Sequence, residues 1–301
     1  MAASPVPSQG ASEFVALTKA DLHLHLVGSA AAHTVAALAA SHPEAGVPAD
    51  LEELRSFYAF SDFGHFLRVY SAVSSLVRTG DDLLTLVAGL ADDLAEQGTA
   101  YAEVTVTPYA HHGAGIASLD LGARRARDEK GIELAYVYDI STFDREDGAR
   151  FTPEAALRHA PGGLVGFGLG GPEDGVRRVD YAPYFAAARA AGLHSVPHAS
   201  ESVGPSEVYA ALDLLSAERI GHGSAAASDD RLLARLVDEG ITLEICPSSA
   251  TWRPGSSHAS PSTRCPGSSR PASPWPCAAT IRRCSIPAFP RSTVARGTCS
   301  A

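Results

Sequence analysis

At 301 residues with 45% hydrophobic side chains, the chain can bury one large core, and α/β barrels of this length commonly stay undivided. No apolar run approaches a membrane span, the first ten residues lack the basic and apolar segments of a secretory signal, and a formal net charge of −10 argues against a nucleic-acid groove. A cytoplasmic enzyme with no membrane, nucleic-acid or protein partner is expected, and of five cysteines only Cys246 lies in the well-patterned part, too few there for a disulfide framework.

Residues 1–16 read as an N-terminal extension, and residues 17–252 alternate strand-like runs with helical patterns, the signature of repeated βα units around a parallel sheet. The expected strands run over Lys19–Val27, Tyr101–Thr107, Glu133–Ile140, Leu164–Leu169, His194–Pro197, Arg219–Gly221 and Thr242–Cys246. Helical spacing is clearest over Phe66–Val77, Asp81–Glu96, Tyr181–Ala191, Glu207–Leu215 and Asp230–Glu239. These seven strands make an α/β (β/α)8 TIM barrel that lacks its eighth βα unit. Residues 253–301 do not supply it: they are crowded with Pro, Ser, Arg and Gly, carry seven Arg and no Asp or Glu, and read as disordered on composition.

Polar residues gather where the strands end, which in barrels is where catalytic groups lie. Strand one ends in His23 and His25, two residues apart and therefore on one side of the strand. Strand four runs into the glycine-rich turn Gly168–Glu173, strand five into His198-Ala199-Ser200-Glu201, strand six into Gly221-His222-Gly223, and strand seven into Cys246-Pro247-Ser248-Ser249. Histidines on three strands with a carboxylate three residues after one of them suit metal-assisted hydrolysis. A zinc-like ion lowers the pKa of bound water from about 16 to about 7. Glu201 is then placed to move a proton, and His222 to orient or deprotonate the water. His194 reads as packing, whereas His33, His42, His65, His111, His112, His159 and His258 read as helix-surface or loop residues without a role. The two lysines, Lys19 and Lys130, are not placed to bridge two ions, which favours one metal.

These motifs resemble, in order, those of the adenosine deaminase family of metal-dependent amidohydrolases: Leu22-His23-Leu24-His25-Leu26, the run Gly166–Gly171, His198–Glu201, Arg219–Gly223 and Cys246–Ser249. The likeness covers about the first four fifths of the chain. It implies one Zn2+ held by His23, His25 and His198, with Gly171 against a purine, Glu201 protonating a ring nitrogen and His222 positioning the attacking water. The implied reaction deaminates a 6-aminopurine nucleoside, adenosine or a related adenine-containing compound, and releases ammonia. Three positions depart from the family pattern. Val27 stands where an acidic residue is usual, Ser200 replaces a glycine, and the Asp-Asp-Pro segment expected after strand seven, with its zinc-binding Asp, is missing.

A GC-rich codon choice lets another reading frame spell the missing segment. Ala279–Ile286 can be encoded GCG ACG ATC CGC CGA TGT TCG ATA, which read from its third base spells Asp-Asp-Pro-Pro-Met-Phe-Asp, and the same displacement of Ala250–Ser257, with codons chosen likewise for a GC-rich usage, gives Asn-Val-Ala-Thr-Gly-Val-Val. The tail is therefore read as a frameshifted C-terminus, and negligible activity is expected of this chain. The alternatives are a catalytically dead purine-binding or interaction protein and a barrel hydrolase of another carbon–nitrogen bond.

Overall fold

The computed structural model describes residues 18–111, 115–158 and 160–246. The expected extension over 1–16, the tail from 253 and histidines 112, 159 and 258 lie outside the described residues. So does the Pro247–Ser249 end of the strand-seven motif.

Eight short strands form two parallel sheets, in the order β1 (Lys19–His25), β2 (Thr99–Val106), β3 (Glu133–Ser141), β4 (Leu164–Gly170), β5 (His194–Ser195), then β6 (His198–Ala199), β7 (Arg219–His222) and β8 (Thr242–Glu244). They occupy the seven expected positions, because β5 and β6 are two halves of one strand. Pro197 has no N–H to give to a ladder, so strand assignment lapses there. The path nevertheless continues: Val196 N–H donates to Phe167 O at 2.9 Å, and Gly221 N–H donates to Pro197 O at 3.0 Å. The strands thus form an arc from β1 to β8, and among the described residues no backbone ladder joins the two ends. Side chains span that gap, as the site below shows.

Nine α-helices separate the strands: α1 (Ala32–Ser41), α2 (Leu51–Phe57), α3 (Phe63–Ser74), α4 (Gly80–Glu96), α5 (Ser118–Lys130), α6 (Arg145–Arg158), α7 (Ala182–Ala190), α8 (Ser206–Leu215) and α9 (Asp230–Glu239), all among the described residues. Helix α4 shows how the sequence sets its own limits. Thr79 accepts from Asp82 N–H while the Asp82 carboxylate accepts from Thr79 N–H, a capping box that starts the helix. Leu83, Leu86, Leu90 and Leu94 then recur at helical spacing and are all buried. This apolar stripe packs toward the sheet, and the largest enclosed side chains, Tyr136, Tyr138, Phe167 and Phe185, fill the same layer between strands and helices. No described helix is long and apolar enough to cross a membrane.

Strand β4 contributes almost no side-chain volume to the barrel interior. A Cβ added to Gly166 would sit 3.0 Å from Val137, one on Gly168 3.1 Å from Val196 O, and one on Gly170 2.6 Å from Asp139 Oδ2. Bare backbone on this strand lets the side chains of β3 and of the fifth strand position lean across it.

Two histidines differ from the sequence expectation. His194 is exposed rather than packed, its Nδ1 2.8 Å from Glu218 Oε2, because it lies at the N-terminal rim of the strand. His111, expected at the surface, is 3% exposed at the end of a 3-10 turn that folds back beneath α6.

Candidate active site

The C-terminal ends of β1, β6 and β7 bring four imidazoles together. Ring centroids of His23 lie 4.8 Å from His198 and 4.9 Å from His222, and His25 lies 5.0 Å from His198. Two of the rings are held by their Nδ1 atoms. His23 Nδ1 sits 2.9 Å from Glu244 Oε2, and His198 Nδ1 sits 3.1 Å from Leu169 O. Both partners are acceptors, so each ring carries its proton on Nδ1 and turns a lone pair on Nε2 toward the shared centre.

Nε2 of His25 faces Nε2 of His198 at 3.0 Å. Two ligand nitrogens of a tetrahedral zinc site lie about 3.3 Å apart, given metal–nitrogen bonds of about 2.0–2.1 Å. A small spreading of this pair would seat the ion. Candidate ligand atoms of His23, His198 and His222 also fall within 4.8 Å of one another. Burial holds the His198 and His222 imidazoles well below their usual pKa, and burial together with neighbouring His23 takes His25 down to about 3. Neutral rings are the ligating form. The neutral donor set fits zinc: His198 lies between His25, 3.0 Å away, and the His23–His198–His222 group, in which His222 rather than His25 stands with the other two expected ligands.

His222 is held in an unusual way: its φ is +64°, a left-handed value that few non-glycine residues adopt. The Gly221 before it must stay bare, since a Cβ there would lie 2.8 Å from the His23 ring. This kink aims His222 Nε2 at Glu201 Oε2, 3.4 Å away. Burial and then the nearby Glu173 charge push the Glu201 carboxyl up to about 7, so it holds a proton near neutrality. Gly171 turns at φ +97°, and a Cβ there would meet Thr142 Oγ1 at 2.7 Å. Both the left-handed turn and the close Thr142 side chain require glycine there. Ser200 also has a positive φ, +64°, which explains why glycine is the usual choice there, and its Oγ donates to Gly204 O at 2.8 Å. Val27 is 3% exposed and offers a ligand no polar group.

Sequence reasoning missed several charged groups that support the site. Glu244, 2% exposed on β8, lies 2.8 Å from Arg219 Nε, and Arg219 also pairs with Glu103 on β2. His23, Glu244, Arg219 and Glu103 thus form a line down the barrel, buried except at the partly exposed Arg219. It ends at a cavity of about 190 Å³ between the N-terminal strand ends, lined by Tyr101, Glu103, Gly166, His194 and Arg219. Asp139, at the end of β3, accepts from Thr107 Oγ1 at 2.6 Å, and burial pushes its carboxyl up to about 7. Glu173 gathers donors from the Glu201 loop. Its position in the Gly168–Glu173 turn was visible, but its partners lie 27 residues on, beyond any local pattern.

Parallel strands ending in convergent imidazoles and a proton-holding carboxylate define a hydrolase barrel of the amidohydrolase type. The chain belongs to the adenosine deaminase family, whose sequence profile matches residues 18–254. It is 45% identical over 243 residues to aminodeoxyfutalosine deaminase of Streptomyces avermitilis, covering 77% of this chain and 67% of that protein. Adenine deaminase of Rhizobium leguminosarum is 38% identical over 244 residues, covering 77% of this chain and 73% of that protein. Among solved structures, an amidohydrolase from Burkholderia ambifaria with bound Zn superposes with a TM-score of 0.72 at 26% identity, covering 82% of this chain and 70% of that one. The chain spans 62–67% of the length of the Streptomyces aminodeoxyfutalosine deaminases it matches.

Proposed function

We propose that this site is that of a zinc-dependent hydrolytic deaminase acting on a 6-aminopurine nucleoside. The observation that carries the reading is the convergence of the His25 and His198 Nε2 atoms at 3.0 Å beside the Glu201–His222 pair. His23, His25 and His198 would hold one Zn2+, which when bound lowers the pKa of water to about 7. His222 orients the attacking water, and Glu201 delivers its proton to a purine ring nitrogen, drawing electron density away from the carbon that is attacked. Gly171 presents backbone to the purine face. The 45% identity to aminodeoxyfutalosine deaminase, against 38% to adenine deaminase, favours an adenine-containing nucleoside over free adenine. Buried, apolar Val27 withholds the acidic contact that the family usually offers, which favours a substrate other than adenosine.

Residues 245–301 contain no Asp or Glu, so none of them supplies the aspartate that the family resemblance implies at the metal site. Negligible turnover, at most a zinc-dependent remnant of the family's rate, is the expected behaviour of this chain. The frame-displaced Asp-Asp-Pro segment is proposed as the origin of the loss, and the encoding DNA tests it directly.

The function is tested by zinc analysis of the purified protein, followed by ammonia release from aminodeoxyfutalosine, adenosine and adenine. About one zinc per chain and slow, chelator-sensitive release from a nucleoside support the reading. Zinc bound without any ammonia from the three compounds favours the second reading, a purine-binding protein without turnover, which the missing aspartate also supports. A chain that takes up no zinc refutes the first.

A further inference from the structure

Glu173 lies outside the histidine cluster, yet its carboxylate holds the Glu201 loop from both sides. Ser200 N–H donates to Oε1 at 2.5 Å, and Ser202 N–H donates to Oε2 at 2.8 Å. The two amides that flank Glu201 in the chain therefore end on one carboxyl group. Ser202 Oγ donates to Oε2 at 3.2 Å, and Arg178 Nη2 approaches Oε1 at 3.3 Å. Glu173 and Arg178 are both buried, at 5% and 3% exposure, and Arg178 is itself anchored by a 2.6 Å bond from Nε to Glu207 Oε2 on α8. The turn after β4 and the loop after β6 meet on this one carboxylate, and Arg178 ties it to Glu207 at the N-terminal end of α8.

The loop needs such a hold. Ser200 sits in left-handed backbone, a conformation that a non-glycine residue keeps only where its surroundings over-determine it. A fixed acceptor for both flanking amides supplies that determination and leaves Glu201 little room to swing. We propose that Glu173 is the positioning residue of the proton donor, bridging the Ser200 and Ser202 amides so that the Glu201 carboxyl is presented to a purine ring nitrogen. This rests on the deaminase reading, in which Glu201 protonates that nitrogen.

The test compares binding of adenosine with that of 1-deazaadenosine, which lacks the N1 acceptor, by calorimetry on the zinc-loaded full chain. One hydrogen bond to N1 makes adenosine bind about tenfold more tightly. In Glu173→Gln that ratio should fall to near one, with the affinity for 1-deazaadenosine, the zinc content and the thermal midpoint little changed. Amide exchange at Ser200 and Ser202 should rise. A wild-type ratio of about ten that persists in Glu173→Gln overturns the inference and leaves the deaminase reading standing. A wild-type ratio near one overturns the role of Glu201 and the inference with it. Should Glu173→Gln not fold, Glu173→Asp keeps the charge beside Arg178 but is one methylene too short to span both amides. Its ratio should fall below that of the wild type, and an unchanged ratio overturns the inference.

Discussion

Replacing Glu244 with Gln should weaken zinc binding without unfolding the protein. Glu244 touches the candidate metal centre only through His23 Nδ1, at 2.9 Å, and the side chains of the pair are 5% and 2% exposed, so solvent screens the contact little. A carboxylate there fixes the ring's tautomer and raises the basicity of Nε2, and loss of such a partner typically costs 10–100-fold in metal affinity, or about 1.4–2.7 kcal/mol. Gln retains an acceptor oxygen, so Glu244→Gln should fall near the tenfold end and Glu244→Ala nearer a hundredfold. Competition against a zinc-chelating dye near neutral pH reads the affinity, and circular dichroism reads the fold. Glu103→Gln, one ion pair further down the barrel, should lose less. Unchanged zinc affinity in a folded Glu244→Gln protein would refute the reasoning, because His23 would then be oriented by something other than its carboxylate partner.

Gly171→Ala forces a side chain into left-handed backbone and against Thr142 Oγ1, so stability to urea should drop by about 1–2 kcal/mol and nucleoside affinity should fall with it. Turnover should decline as pH rises above about 7, because Glu201 then loses the proton it must donate; a rate that holds level well above pH 7 counts against Glu201 as the donor. The metal-free protein should be most heat-stable near pH 6.5, a position set by opposing groups. His25, His198 and His222 have lowered folded pKa values, so their contribution is lost as pH falls below about 6.5. Asp139 and Glu201 have raised values, so theirs is lost as pH rises from about 4 to 7. Three imidazoles outweigh two carboxyls below the maximum, and a thermal midpoint that climbs on acidification to pH 5 would contradict this balance.

The strand positions were legible because a parallel barrel repeats one local pattern, an apolar run ending in polar residues, and each run from Lys19 to Thr242 carries it. The histidines were legible for the same reason: each stands at a strand end, where the fold must bring it inward. Their support was not. Glu244 looks like an ordinary strand residue until β8 is placed beside β1, and Glu173 looks like part of a turn until the loop after β6 returns to it. Pro197 splits a strand that periodicity reads as continuous, since apolar pattern does not register a missing N–H. His111 was misplaced because a short turn gives no periodicity from which to infer burial. Spacing within one segment is visible in a sequence, whereas pairings across 27 or 221 residues are made only by the fold.

The glycines of β4 set limits on how this site can be altered. With Val137, Val196 and Asp139 already occupying the room in front of Gly166, Gly168 and Gly170, even a methyl group there collides with a neighbour. Strand four thus works as a recess, and what it contributes is the volume it leaves to its neighbours. Any redesign of the space in front of this strand must act at the side chains that border it, Val137 and Asp139, which leaves few positions free to change while the barrel stays intact.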